Sequence, residues 1–408
     1  MLILFCNTGI LSTGFSVFQP YLISDGGLTN AQASTIVTVR NLFALISMFL
    51  VAEYYRRLGY RLGLMLAGLI GTLSFVVYGL AWNFLSYSVA AALAGTSFGI
   101  GGMIPVSIVI HNWFKVRGGL ALGLCTMGSG MSAIICPLLF GKMIERIGMD
   151  KTFYTGAVFL VVAAFVEFLI IRGYPRDLDL KPLGQIEKLS AGVKYSNKRI
   201  TPLPKIYYTM AVAASLFVGA AINPQVSHLS VLYSSTGISA EGVSMLMALE
   251  GTALSIGKCS YGQVVDKIGA YKAGCIYFSF LMVGSILSCL AGIQSMPVAM
   301  GAMIFLGLGL SVSTVGFPAI AADISAPEQY DAMVKRFQIS STAGALLLNS
   351  VPGFIADKTG NYVAAFILLA VLVVIGTLLI LIVYQKFNSC RKIEARKSFH
   401  RASICETN

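Results

Sequence analysis

Twelve apolar runs, each long enough to cross a lipid bilayer, leave this chain few folds to choose from. A spanning helix needs ~20 mostly apolar residues, because a rise of ~1.5 Å per residue must cover a hydrocarbon layer of about 30 Å. The runs, called spans one to twelve below, cover roughly 2–23, 30–52, 62–82, 84–112, 118–144, 152–172, 206–234, 240–264, 271–293, 296–322, 332–356 and 361–386. A segment in lipid must satisfy its backbone internally, so these runs are read as helices. The expected fold class is therefore an all-α membrane protein with twelve transmembrane helices. Composition agrees: 11% of the 408 residues are charged, where a soluble domain carries about 25%. A soluble enzyme, a nucleic-acid partner and a disordered scaffold are excluded, and the lipid bilayer becomes the expected surroundings.

The net charge of +12 has a membrane explanation. Lys and Arg collect in cytoplasmic loops. With both termini inside, 24 of the 29 Lys and Arg fall on the cytoplasmic side, and Lys142, Arg146, Lys151 and Lys358 fall outside. The expected placement is a multi-pass protein of the plasma (inner) membrane with both termini cytoplasmic. Its parts are an N-terminal six-helix bundle (1–172), a Pro-, Lys- and Arg-rich cytoplasmic linker (173–205), a C-terminal six-helix bundle (206–386) and a basic, frayed cytoplasmic tail (387–408). The apolar N-terminus has no basic lead-in or small-residue cleavage site and reads as a span rather than a leader. The eight cysteines are scattered with no C-x-x-C pair, so neither a disulfide framework nor a metal site is expected.

The chain also repeats itself. Ala52–Gly59 (AEYYRRLG), Gly141–Gly148 (GKMIERIG), Gly262–Gly269 (GQVVDKIG) and Gly353–Gly360 (GFIADKTG) share the form small-x-x-x-charge-Arg/Lys-x-Gly. The two halves are offset by 210 and 212 residues, and alternate copies fall on opposite sides of the membrane. That is the pattern of inverted three-helix repeats nested in two parallel six-helix halves, so the bundles are expected to be pseudo-symmetric.

These residues resemble the major facilitator superfamily of secondary transporters, whose loop 2–3 signature is G-x-x-x-D-[RK]-x-G-x-[RK]-[RK]. Gly262, Asp266, Lys267 and Gly269 match it, with Lys272 near the end. The first copy keeps Arg57, Gly59 and Arg61 but has Ala52 for the first Gly and Arg56 for the Asp. The charge-paired latch of that half is missing unless Glu53 substitutes. Asn112–Gly130 (NWFKVRGGLALGLCTMGSG) and Gly14–Leu28 resemble the monocarboxylate and oxalate/formate porter branches. The resemblance implies a monomeric carrier, with no cofactor, that moves a small organic anion by alternating access. A proton or counter-anion would be its coupling partner.

Charge buried in a bilayer is costly, about 2.5–3.5 kcal/mol even on insertion scales, and so marks candidates. Lys258 in span eight lies eight residues before Asp266, ~12 Å from the cytoplasmic end. The oxalate/formate branch places a substrate-attracting cation similarly, and the competing reading is a structural pair or snorkelling. The branch's second cation corresponds by spacing to neutral Ser341 in span eleven. Arg40 and Glu250 are separated by the repeat offset, so they should lie at equivalent depths; they could gate or bracket a substrate, or simply bond to neighbouring helices. Glu250 could also carry a coupling proton. Glu167 in span six reads as snorkelling or locally bonded. Asn223, Pro224 and Gln225 beside His228 suggest a broken, cavity-lining span seven, while for His228 itself a hydrogen-bonded structural role is favoured over a substrate contact. Thr13, Ser16, Gln19, Gln338 and Ser341 could add polar contacts. Gly95/Gly99 and Gly119/Gly123 read as small-residue packing pairs. Gly251–Cys259 superficially resembles a phosphate-binding loop but has the wrong spacing and lies inside a span. The main expectation is thus an anion carrier. The alternatives are a proton-linked sugar or drug carrier and a non-transporting ligand sensor.

Overall fold

All four octets end on a glycine with positive φ: 69° at Gly59, 87° at Gly148, 87° at Gly269 and 73° at Gly360. Only glycine enters that region without strain, so the repeat seen in the sequence is a repeat of helix stops. The computed structural model describes residues 1–18, 21–22, 28–184 and 203–406. Gln19, the centre of the linker, and the side chains of Thr13, Ser16 and the last eighteen residues lie outside what is described.

Nine helical stretches among the described residues are long and apolar enough to cross a membrane. One of them, Thr35–Leu80, is two spans joined at Gly59, where φ/ψ is 69°/168°. Span one (Leu4–Thr13, continued by Gly14–Val17) and span eight (Ala240–Ile268), which carries Glu250 and Lys258, bring the number to twelve. The remaining spans are Phe84–Trp113 (four), Gly118–Ile147 (five), Met149–Ile170 (six), Lys205–Ser235 (seven), Ala270–Cys289 (nine), Met296–Ile324 (ten), Pro327–Thr359 (eleven) and Val363–Glu406 (twelve). Span twelve overruns the expected stop at 386, since 387–406 contains no Gly or Pro to end it.

The 210-residue offset is structural as well. Spans two and eight start on side-chain caps at Thr29 and Ser239 and stop at Gly59 and Gly269. Spans four and ten are both interrupted mid-length, at Gly102 and at the π-turn Val312–Gly316. In span four the interruption precedes Pro105, which has no N–H to offer the Gly101 carbonyl. Asn7 of span one donates its Nδ2 to that carbonyl at 3.2 Å, and the Tyr55 hydroxyl donates to Ile100 O at 2.7 Å. Span seven differs from expectation: it runs unbroken from Lys205 to Ser235 with Pro224 inside. One missing bond in a 31-residue helix that is packed along its length is absorbed. Asn223 is exposed, while Gln225 is buried and exchanges hydrogen bonds with Ser285 of span nine.

Each bundle has its own core. In the first, Phe18 stacks on Phe153 with ring centroids 4.1 Å apart, and Phe75, Tyr78 and Phe140 surround them. In the second, Leu281, Met303, Leu306, Phe317 and Phe337 pack together. The bundles meet where span five crosses eight and where span eleven crosses two and four.

Candidate functional site

Span five meets span eight almost backbone to backbone. A Cβ added to Gly262 would lie 2.1 Å from the Gly119 carbonyl oxygen, and one added to Gly123 would lie 2.5 Å from Lys258 O. Gly130 faces Ser255 in the same way. The small-residue reading of Gly119 and Gly123 therefore acquires a partner, the signature helix of the other bundle. At the linker end of this crossing Asp266 accepts from the backbone N–H groups of Gly119 (2.9 Å) and Leu120 (2.7 Å). Free amides at a helix N-terminus attract a carboxylate. Asp266→Asn should weaken closure of this end by about 1–2 kcal/mol, measured as faster thiol labelling at the crossing. Unchanged labelling would remove Asp266 from the latch.

The corresponding place in the first bundle is built differently. Glu53 does not replace the missing aspartate, because it pairs with Arg56 and Arg57 on its own exposed helical turn. Arg61 donates to Phe168 O at 2.8 Å and covers the Phe168 ring, so it is engaged within its own bundle. Span eleven reaches span two through Lys335, whose Nζ donates to Phe49 O at 2.6 Å. Tyr330 stacks on His111 of span four at 4.1 Å. Both contacts lie at the linker end.

Lys258 is 4% exposed, and its Nζ donates to Ser129 Oγ at 2.7 Å across the seam. It is neither snorkelling nor directly bonded to a carboxylate. Glu250 is 8% exposed, with one carboxylate oxygen unbonded among the described residues, and lies within electrostatic reach of Lys258. Ser129 belongs to a buried stripe with Thr126 and Ser132. Each hydroxyl in it donates to the carbonyl three residues back, so each oxygen remains free to accept. Sequence reasoning missed this stripe, although its i, i+3 spacing was available. The repeat places Met48 opposite Lys258, and there Thr342 meets Met48 Sδ at 3.5 Å. At this repeat position a charged side chain stands on one side of the pseudo-dyad only.

The other candidates are dispersed. Arg40 donates to the carbonyls of Ser12 (3.1 Å) and Leu11 (3.4 Å) in irregular span one and does not join Glu250. The neighbouring-helix reading fits it. Arg40→Met should lower stability by about 1–3 kcal/mol, read as a lower unfolding temperature; normal stability with lost uptake would instead give Arg40 a transport role. His228 Nε2 bonds Asn349 O at 2.9 Å, tying span seven to the interruption in span eleven. Ser341 presses on Gly219 of span seven, and Gln338 is half-buried. Glu167 is 4% exposed, which corrects the snorkelling expectation. Cys6 of the first span lies within electrostatic reach of it.

Twelve spans in two bundles related by an internal repeat, with a buried polar crossing at the seam, define a polytopic carrier. The sequence profile of the Major Facilitator Superfamily matches residues 1–236 and 209–402, so the chain belongs to that superfamily of transporters and is not an enzyme. Its relatives include an MFS-type transporter 1 of Ophiocordyceps sp. (strain BCC 1869), 23% identical, covering 93% of this chain and 82% of the relative. Monocarboxylate transporter 12 of Homo sapiens is 22% identical over 88% of this chain and 74% of its own length. Monocarboxylate transporter 10 of Homo sapiens is 27% identical over 72% and 57% respectively. Among solved structures, the transporter FucP in the outward conformation matches with a TM-score of 0.66 at 14% identity, covering 93% of this chain and 96% of that one. The proton:xylose symporter XylE matches with 0.67 at 12%, covering 92% of each. At such identities the structural likeness concerns the fold.

Proposed function

We propose that this transporter moves a small organic anion, a monocarboxylate, by alternating access of its two bundles around the seam at Lys258. The observation that carries the proposal is Lys258 itself: a cation in a buried site, bonded to a neutral hydroxyl, on the helix that joins the bundles. The names of the two human relatives point the same way. A carboxylate entering here would take the charge-assisted bond now made to Ser129. Glu250, buried nearby with an unbonded oxygen, is the proposed proton carrier. Gln338, Asn223, Ser341, His228 and Arg40 have supporting roles at most, given where their side chains are engaged or exposed. The division at 172 and 206, a cytoplasmic linker end and a plasma-membrane location belong to the same proposal and rest on the distribution of Lys and Arg.

The test is uptake by proteoliposomes of labelled carboxylates, with and without a pH gradient. Saturable carboxylate uptake supports the proposal. Saturable uptake of a sugar with none of carboxylates would replace it with the proton-linked sugar reading. Binding without flux of any solute would leave a ligand sensor.

A further inference from the structure

Spans seven and eleven pack together, yet at the linker end they part around a cavity of about 610 Å³. Span seven contributes Lys205, Tyr208, Thr209 and Val212, which share one helical face; span eleven contributes Gln329, Met333 and Arg336. The volume falls in the range of small-ligand sites. Among the described residues no Asp or Glu lines it. Lys205 and Arg336 are exposed, and neither side chain makes a hydrogen bond or ion pair among the described residues. Span seven also begins here without a side-chain cap, because its N-cap is Pro204. Its first amides and the positive end of a 31-residue helix therefore join the two cations.

The cavity is not the transport seam. Neighbouring residues on a helix diverge by ~100°. Lys335 reaches span two, whereas Ser340, one turn beyond Arg336, donates to Val212 O of span seven at 2.9 Å. The Arg336 side of span eleven thus faces span seven, away from the other bundle. The cavity also has two chemistries: its floor is apolar at Val212 and Met333, and its rim is cationic at the end of the spans. A phosphate held at the rim with apolar chains below suits that gradient, and basic pockets between spans bind lipid headgroups.

We propose that this cavity is an oxyanion site for a phosphate group, supplied by a phospholipid of the leaflet on the linker side. The proposal is independent of the transported solute. Native mass spectrometry of the full chain should show phosphatidylglycerol retained in preference to phosphatidylcholine. Retention should fall at least tenfold in the double variant Lys205→Gln/Arg336→Gln and stay unchanged in Arg56→Gln, an exposed arginine elsewhere at the same end. Thr209→Phe, which fills the cavity and leaves both cations, should give the same loss. A parallel arm measures thermal stabilisation by inorganic phosphate. Stabilisation that depends on Lys205 and Arg336, without lipid retention, would keep the oxyanion site and assign it to a free ion. Lipid retention and phosphate response both indifferent to these variants would overturn the site.

Discussion

Lys258→Gln should reduce carboxylate uptake to the level of empty liposomes while the protein still inserts and purifies as a single species. The variant keeps a polar, hydrogen-bonding side chain one atom shorter than lysine and removes its charge. Breaking a buried charge interaction costs about 2–5 kcal/mol, or roughly 30-fold to several-thousand-fold in affinity. The partner distinguishes a carrier cation from a structural one. If Lys258 only held the seam through Ser129, Ser129→Ala would be as damaging as Lys258→Gln. If Lys258 receives substrate, Ser129→Ala should cost only the ~1 kcal/mol of a hydrogen bond. Uptake by Lys258→Gln at the native rate would end the anion proposal at this residue.

Gly262→Ala is expected to have the second large effect, though it adds only a single methyl and removes no charge. The new carbon would lie 2.1 Å from the Gly119 oxygen and 2.7 Å from its carbonyl carbon. Both are backbone atoms, so no side chain can rotate away and the two helices must separate. Overpacking of this kind costs about 1–3 kcal/mol, which shifts closure of the linker end by roughly 5- to 150-fold. The measurement is thiol labelling of native Cys259, half-buried on the same span, with the other cysteines replaced by serine. Faster labelling and slower uptake are expected together. Native behaviour in both would show that the glycine crossing does not control closure.

Much of this was legible in the residues. The spans followed from apolar length, and the octets announced the helix stops because a positive φ leaves glycine as the strain-free choice. Gly119 and Gly123 were readable as packing residues, but which helix they face was not. That depends on how span five crosses span eight, 147 residues away at the Asp266 contact. Lys258 stood out because charge is rare in lipid. Its partner Ser129 did not, since a serine in an apolar helix is ordinary and usually bonds its own backbone, as Ser129 also does. The reading of span seven failed because Pro224 marks a weak point locally, whereas the bundle decides whether the helix breaks there.

Sequence alone therefore determined the membrane class, the twelve spans, their twofold repetition and the short set of charges that lipid would not tolerate unpartnered. These follow from transfer energies and backbone conformations that act residue by residue. Tertiary structure decided which charges meet. Arg40 turned to the carbonyls of span one, Glu53 to its own arginines and Lys258 to the opposite bundle. Side chains on one helix are fixed by a pitch of 3.6 residues, but partners between helices are set by the crossing points, and those belong to the packed bundle as a whole.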